Sequence, residues 1–199
     1  MRTRPTLPAA LGGALTLGAL ALGAFPLGTL PAAAAPANPS GTWLTADSRA
    51  RIRVEKCGVG GEQVCGYVVW LESPLDNGQP RVDTRNPDPK KRGRPILGHQ
   101  MLMGLTPGAD DRFVGQVYNN EDGKSYDVTV WMEKGDLKVK GCLVAFLCST
   151  QTWARKGDVA PGQLAGPTGG QNGPFPEPQW ASKSPDPATP PVATARKRS

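Results

Sequence analysis

The chain has 199 residues, a formal net charge of +6 and a single histidine, His99. One histidine excludes zinc hydrolase sites built from two or three histidines, and no Gly-x-Ser-x-Gly segment accompanies it as a serine-hydrolase triad would require. The positive charge is mild and mixed with acidic residues, so nucleic acid is not an expected partner. We expect neither a cofactor nor a metal.

The N-terminal segment predicts export. Arg2 and Arg4 precede an apolar run over 9–30, and small residues follow at 32–35. This order is typical of a secretory signal peptide, which we assign to residues 1–35 with the cleavage site left open. The alternative is an uncleaved membrane anchor, because the run approaches the roughly 20 residues that span a bilayer. We expect a periplasmic or secreted bacterial protein whose membrane contact is made only by the signal peptide.

From residue 40 onward, apolar side chains recur at alternating positions between short turn signals, a period typical of half-buried strands. We predict strands over 42–46, 49–56, 64–72, 96–105, 111–118, 124–132, 136–142 and 146–155. Links rich in glycine favour tight hairpins, so sequential strands should pair antiparallel. Closing such a sheet into an up-and-down β-barrel removes its unpaired edges. The prediction is one mainly β domain, a small antiparallel up-and-down barrel, over residues 40–156.

Four cysteines, Cys57, Cys65, Cys142 and Cys148, are typical of an oxidising compartment and allow three pairings. We favour the two local pairs, Cys57 with Cys65 and Cys142 with Cys148, because each flanks a short segment between predicted strands, where facing positions lie within disulfide reach. Each bond would contribute about 2 to 3 kcal/mol by the chain-entropy estimate. The alternative, a zinc ion held by all four, normally uses closer spacings.

The segment 73–95 interrupts the strand rhythm with five prolines, and we expect an ordered excursion near a barrel mouth. Its oxygen donors Asp83, Asn86 and Asp88 match no recognised calcium loop, so capping of turns is the simpler interpretation. The same segment contains a basic patch that ends at Arg94. This patch could attract an acidic head group, or it could be a solvated face of the loop.

Two tyrosines on predicted strands, Tyr118 and Tyr126, could line a cavity and orient a bound molecule. Together with Asp83, Asn86 and Arg94 they are our candidate ligand or mouth residues. The alternative is that the strand aromatics fill the core.

The chain becomes rich in proline and glycine after residue 156. Such a composition buries too little apolar surface to offset chain entropy, so we predict a disordered tail over 157–199. The tail ends in Arg196, Lys197 and Arg198, which could make a weak contact with the envelope or act as a solubilising end.

Several stretches together resemble DUF2147, a family of bacterial exported proteins known as a domain of unknown function. They are Gly41-Thr42-Trp43, 64–71, 83–88, 92–98, 118–126, 137–142 and Gln151-Thr152-Trp153. The resemblance implies a lipocalin-like barrel and no established activity. Lipocalins themselves often begin with Gly-x-Trp and lay an arginine of the last strand over that tryptophan; Trp43 and Arg155 occupy the corresponding positions and would close the barrel structurally.

An eight-stranded barrel either fills its interior with side chains or holds one small ligand. We therefore expect a non-enzymatic exported protein that binds a small amphipathic molecule or serves as an interaction module. The alternatives are an enzyme of unknown class working at the mouth through Asp83, Arg94 and Tyr118 or Tyr126, and an envelope scaffold that uses the basic loop and the tail.

Overall fold

The computed structural model describes residues 36–144 and 146–177; the predicted signal peptide and the basic end of the tail lie outside the described residues. Ten strands and two short 3-10 turns are present there. The strands are β1 Gly41–Leu44, β2 Ala50–Cys57, β3 Gln63–Leu71, β4 Leu75–Asp76, β5 Gln79–Pro80, β6 Gln100–Pro107, β7 Phe113–Asn119, β8 Lys124–Glu133, β9 Asp136–Val144 and β10 Leu147–Lys156. The predicted mainly β fold is confirmed.

Eight strands close into an antiparallel barrel in the order β1-β10-β9-β8-β7-β6-β3-β2. β1 pairs with β10 on one side and with β2 on the other, so the barrel has no open edge. The short strands β4 and β5 form a separate ribbon in the excursion between β3 and β6. No helix in the described part of the chain is long and apolar enough to cross a membrane.

One end of the barrel is closed by packed side chains around Trp43, which is fully buried. The Trp43 indole donates a hydrogen bond to the carbonyl of Pro39 at 2.9 Å, and the Arg155 guanidinium carbon lies 4.3 Å from the Trp43 ring centroid. A Cβ at Gly41 would come within 2.4 Å of an Arg155 nitrogen. Glycine at position 41 therefore leaves the space that the guanidinium occupies.

Both predicted disulfides are present, with Cα–Cα distances of 5.8 Å for Cys57–Cys65 and 4.0 Å for Cys142–Cys148. The first joins the β2–β3 hairpin and the second the β9–β10 hairpin. Because these hairpins turn at opposite ends of the barrel, one disulfide lies toward the closed end and the other toward the open end.

Residues 157–177 run along the outer face of β2 and β3, and we call this segment the C-terminal strap. Arg51 donates to the carbonyl of Asp158 at 2.9 Å, and Arg53 donates to that of Gly166 at 2.7 Å. The prediction of a disordered tail is therefore wrong for this part of it. Composition alone misses the strap because its backbone carbonyls are bonded by arginines of a distant strand, so it needs little apolar surface of its own.

Candidate functional site

The end of the barrel opposite Trp43 opens into a cavity of about 710 Å³. Its inner wall is apolar and includes Ile52, Val68, Met101, Val117, Val128 and Val139. Its rim is polar, formed by the links β1–β2, β3–β6 and β7–β8, with Asp47, Arg49, Arg81, Asn119, Asp122 and Tyr126 among its residues. The volume and the lining are in the range of small-molecule sites in proteins.

Strand alternation explains why the space lies at this end. Tyr126, Val128 and Val130 share one face of β8 and lead from the rim to the packed core. Val128 pairs with Gly141, where an added Cβ would meet nothing within 4 Å, whereas Val130 pairs with Val139 and the two side chains pack together. The missing side chain at Gly141 therefore leaves room beside Val128.

The other neighbour of Val128 is also a glycine, Gly115 on β7. Its space is already taken, because a Cβ there would lie 2.7 Å from the Leu105 side chain. Of the two glycines flanking Val128, Gly141 is therefore the one that keeps the cavity open.

Four of the five candidate mouth residues form one cluster, in which three side chains contact the carboxylate of Asp83, itself fully shielded from solvent. The Tyr118 hydroxyl donates to Asp83 Oδ1 at 2.8 Å, and Asn86 Nδ2 donates to Asp83 Oδ2 at 2.7 Å. Arg94 Nη2 lies 3.6 Å from the same Oδ2 and balances its charge. Tyr126 lies apart, at the rim, where its hydroxyl donates to Asp122.

The sequence interpretation missed two members of this cluster, His99 and Glu177. The His99 ring meets Tyr118 edge to face with centroids 5.2 Å apart, and its Nε2 lies 3.2 Å from Arg94 Nη2. The Glu177 carboxylate forms ion pairs with Arg94 and with Lys91, the latter at 3.1 Å. No spacing signal connects a strap residue to a loop more than eighty positions earlier, so only tertiary structure brings them together.

Burial, and then the charge of Arg94, lower the pKa of His99 to about 4. The imidazole is therefore neutral at neutral pH, and its Nε2 can accept a hydrogen bond from the guanidinium. Burial, followed by the hydrogen bond to Asp83, raises the pKa of Tyr118 well above its usual value. At the rim, the hydrogen bond to Asp122 is the main cause that raises the pKa of Tyr126.

These shifts bear on the enzyme alternative. A tyrosine with a raised pKa keeps its proton at neutral pH and is therefore not available to accept one. The Asp83 oxygens are already engaged by Tyr118, Asn86 and Arg94 and are closed to solvent. The cavity wall includes Tyr118 but not Asp83 or Arg94. The cluster is therefore suited to fastening the excursion to β7 rather than to reacting with a substrate.

Two of the three residues that the sequence offered as calcium ligands, Asn86 and Asp88, have side-chain oxygens that cap turns. Asp88 accepts from the Lys90 amide at 3.0 Å and caps the 3-10 turn Pro89–Lys91, and Asn86 Oδ1 accepts from the Asp88 amide at 2.9 Å. Among residues 36–144 and 146–177, no three His, Cys, Asp or Glu side chains are grouped so that they could hold a metal ion.

A family model described as "Uncharacterized protein conserved in bacteria (DUF2147)" matches residues 41–155, the whole barrel from β1 to the penultimate residue of β10. The chain belongs to this family. The match ends before the C-terminal strap, so this member adds Glu177 to its buried cluster from a segment outside the family domain.

A solved structure supports the same fold. It is a protein from the human pathogen Helicobacter pylori, described as belonging to the lipocalin family, with 23% identity and a TM-score of 0.51. The similarity covers 61% of this chain and 84% of that one. The fold is therefore lipocalin-like. No curated protein matches the sequence.

Proposed function

We propose that this protein is an exported binder of one small amphipathic molecule, which it holds in the open end of its barrel. The observation that carries the proposal is the cavity of about 710 Å³ with an apolar inner wall and a polar rim. A filled interior would have favoured the interaction module. The two disulfides, the bacterial family and the predicted signal peptide support export to the periplasm or beyond.

The lining indicates how a ligand lies. An apolar chain fits beside Val128 and Val139, where burial from water stabilises it. A polar head remains at the rim, where Arg49 and Arg81 offer donors and positive charge. This division selects molecules with one apolar and one polar end.

The test uses the mature chain and dansyl-labelled undecanoic acid as the probe, whose fluorescence rises in an apolar site. Gly141→Phe places a ring in the space beside Val128 without a backbone clash. We expect it to weaken probe binding by at least about tenfold, which is roughly 1.4 kcal/mol. Native mass spectrometry of the freshly purified protein shows in parallel whether a molecule is carried along.

The matched control is Gly157→Phe, since Gly157 also has open space for a side chain and lies just after the last barrel strand, outside the cavity lining. It should bind the probe like the unaltered protein. Equal binding by the Gly141→Phe protein, with its thermal unfolding unchanged, would place the probe outside the barrel and contradict the proposal.

A further inference from the structure

Three large apolar side chains stand in solvent on the β9–β10 hairpin. Leu143, Phe146 and Leu147 are 61%, 90% and 56% exposed, and we call these three residues the apolar tip. Single exposed apolar residues are ordinary on protein surfaces, but three on one hairpin indicate a contact surface. The Cys142–Cys148 disulfide holds the two strands together directly below them.

The apolar tip is continuous with the cavity. Leu143 and Leu147 belong to the cavity lining and are also more than half exposed, and Cys142 and Cys148 line the cavity next to them. The apolar surface of this hairpin therefore reaches from solvent to the wall of the cavity.

We propose that the apolar tip docks the protein, open end first, on the surface of a lipid bilayer whose head groups are zwitterionic. This contact is additional to any made by the signal peptide. Movement of a ligand between bilayer and cavity without crossing water rests on the proposed function; the docking itself does not.

The size of the tip favours a bilayer over a protein partner. A stable protein interface buries roughly 800 Å² on each side, far more than three side chains present. A few apolar side chains inserted at the level of the head groups are enough for reversible membrane binding.

The charges of the links that surround the cavity at the same end of the barrel indicate the kind of bilayer. Acidic side chains outnumber basic ones along the cavity lining: Asp47, Glu72, Glu121 and Asp122 against Arg49 and Arg81. An anionic surface would repel this rim, whereas a zwitterionic surface would not.

The test measures cosedimentation of the mature protein with phosphatidylcholine vesicles, and with vesicles that also contain phosphatidylglycerol. We expect binding to the former and weaker binding to the latter. Phe146→Ser removes the most exposed side chain of the tip and should lower the partition coefficient about tenfold.

The matched control is Val59→Ser. Val59 is 102% exposed on the β2–β3 hairpin, which is also joined by a disulfide but turns at the opposite end of the barrel. This variant should sediment with vesicles like the unaltered protein. Equal loss in both variants, or no loss in Phe146→Ser, would overturn the proposal.

Two further measurements distinguish bilayer docking from ligand binding in the cavity and from dimerisation through the apolar tip. Gly141→Phe, which fills the cavity, should still bind vesicles. Ligand binding in the cavity and docking on a bilayer can therefore be contradicted separately. Sedimentation velocity without vesicles tests the competing occupant, because a dimer that Phe146→Ser dissociates would mean that a second copy of this chain covers the tip.

Discussion

Single buried polar residues connect the excursion to the barrel. Asp83 is fully buried, and its carboxylate is contacted by one hydroxyl, one amide and one guanidinium. A buried carboxylate needs all such partners, since loss of the guanidinium leaves an uncompensated charge and loss of the hydroxyl or the amide leaves an unsatisfied acceptor. His99 adds a neutral acceptor for the same guanidinium, and it can do so only while it stays unprotonated.

The lowered pKa of His99 makes the free energy of unfolding depend on pH. Between pH 6.5 and about 4 the unfolded chain binds a proton that the folded chain does not, so stability falls as the pH falls through this window. We expect His99→Gln, which keeps an acceptor for Arg94, to remove this contribution. In denaturant titrations at pH 7 and 4.5, the unaltered protein should lose about 2 kcal/mol more than the variant. Equal losses would show that the imidazole is not held neutral.

At the scale of elements, the C-terminal strap turns β3 into a strand that is buried on both faces. Its Leu164 packs on the outward side chains Cys65, Tyr67 and Val69, and the Leu164 amide donates to the Val69 carbonyl at 2.8 Å. Burial here, with the charge of Glu55 as a smaller cause, raises the pKa of Tyr67 to about 12. The strap therefore acts as an outer layer of the core.

Leu164→Ala tests whether the strap stabilises the barrel. Because Leu164 is only partly buried, we expect the free energy of unfolding to fall by about 1 to 2 kcal/mol. Val159→Ala in the same segment is the control, since Val159 is 64% exposed and should change stability by less than about 0.5 kcal/mol. If both variants unfold like the unaltered protein, the packing of Leu164 on β3 contributes nothing to stability.

At the scale of the whole molecule, the barrel is asymmetric along its axis. One end is packed around Trp43, over whose ring the Arg155 guanidinium lies, and the other surrounds the cavity. Each end also carries its own disulfide-joined hairpin. The packed core at the closed end therefore stabilises a barrel whose open end is left with a cavity.

The two disulfides should act independently because they lie at opposite ends. We expect C57A/C65A and C142A/C148A each to lower the free energy of unfolding by about 2 to 3 kcal/mol. The protein lacking both should lose the sum within about 0.5 kcal/mol, provided the barrel unfolds as one cooperative unit. Two separate transitions in the denaturant curve of either variant would show that the barrel does not unfold as one cooperative unit.

Local patterns were enough to predict the eight strands of the barrel and both disulfides, but not the short ribbon of β4 and β5. Alternation placed Tyr126, Val128 and Val130 on one face of β8, and glycine-rich links placed the hairpins, because both signals depend on neighbours along the chain. The strap was missed for the opposite reason, since its bonds to Arg51 and Arg53 join residues more than a hundred positions apart.

The sequence by itself determined that side chains alternate along each strand, that successive strands pair into a barrel, and that disulfides join two of the hairpins. The periodicity of apolar residues, the turn residues and the cysteine spacing are all local properties of the chain. Only the tertiary structure decided that the barrel is hollow at one end. That outcome depends on whether a distant side chain fills the gap left by each glycine: Leu105 fills the one at Gly115, and nothing within 4 Å fills the one at Gly141. The same holds for the buried cluster, because Asp83, Tyr118 and Glu177 meet only once the barrel has closed.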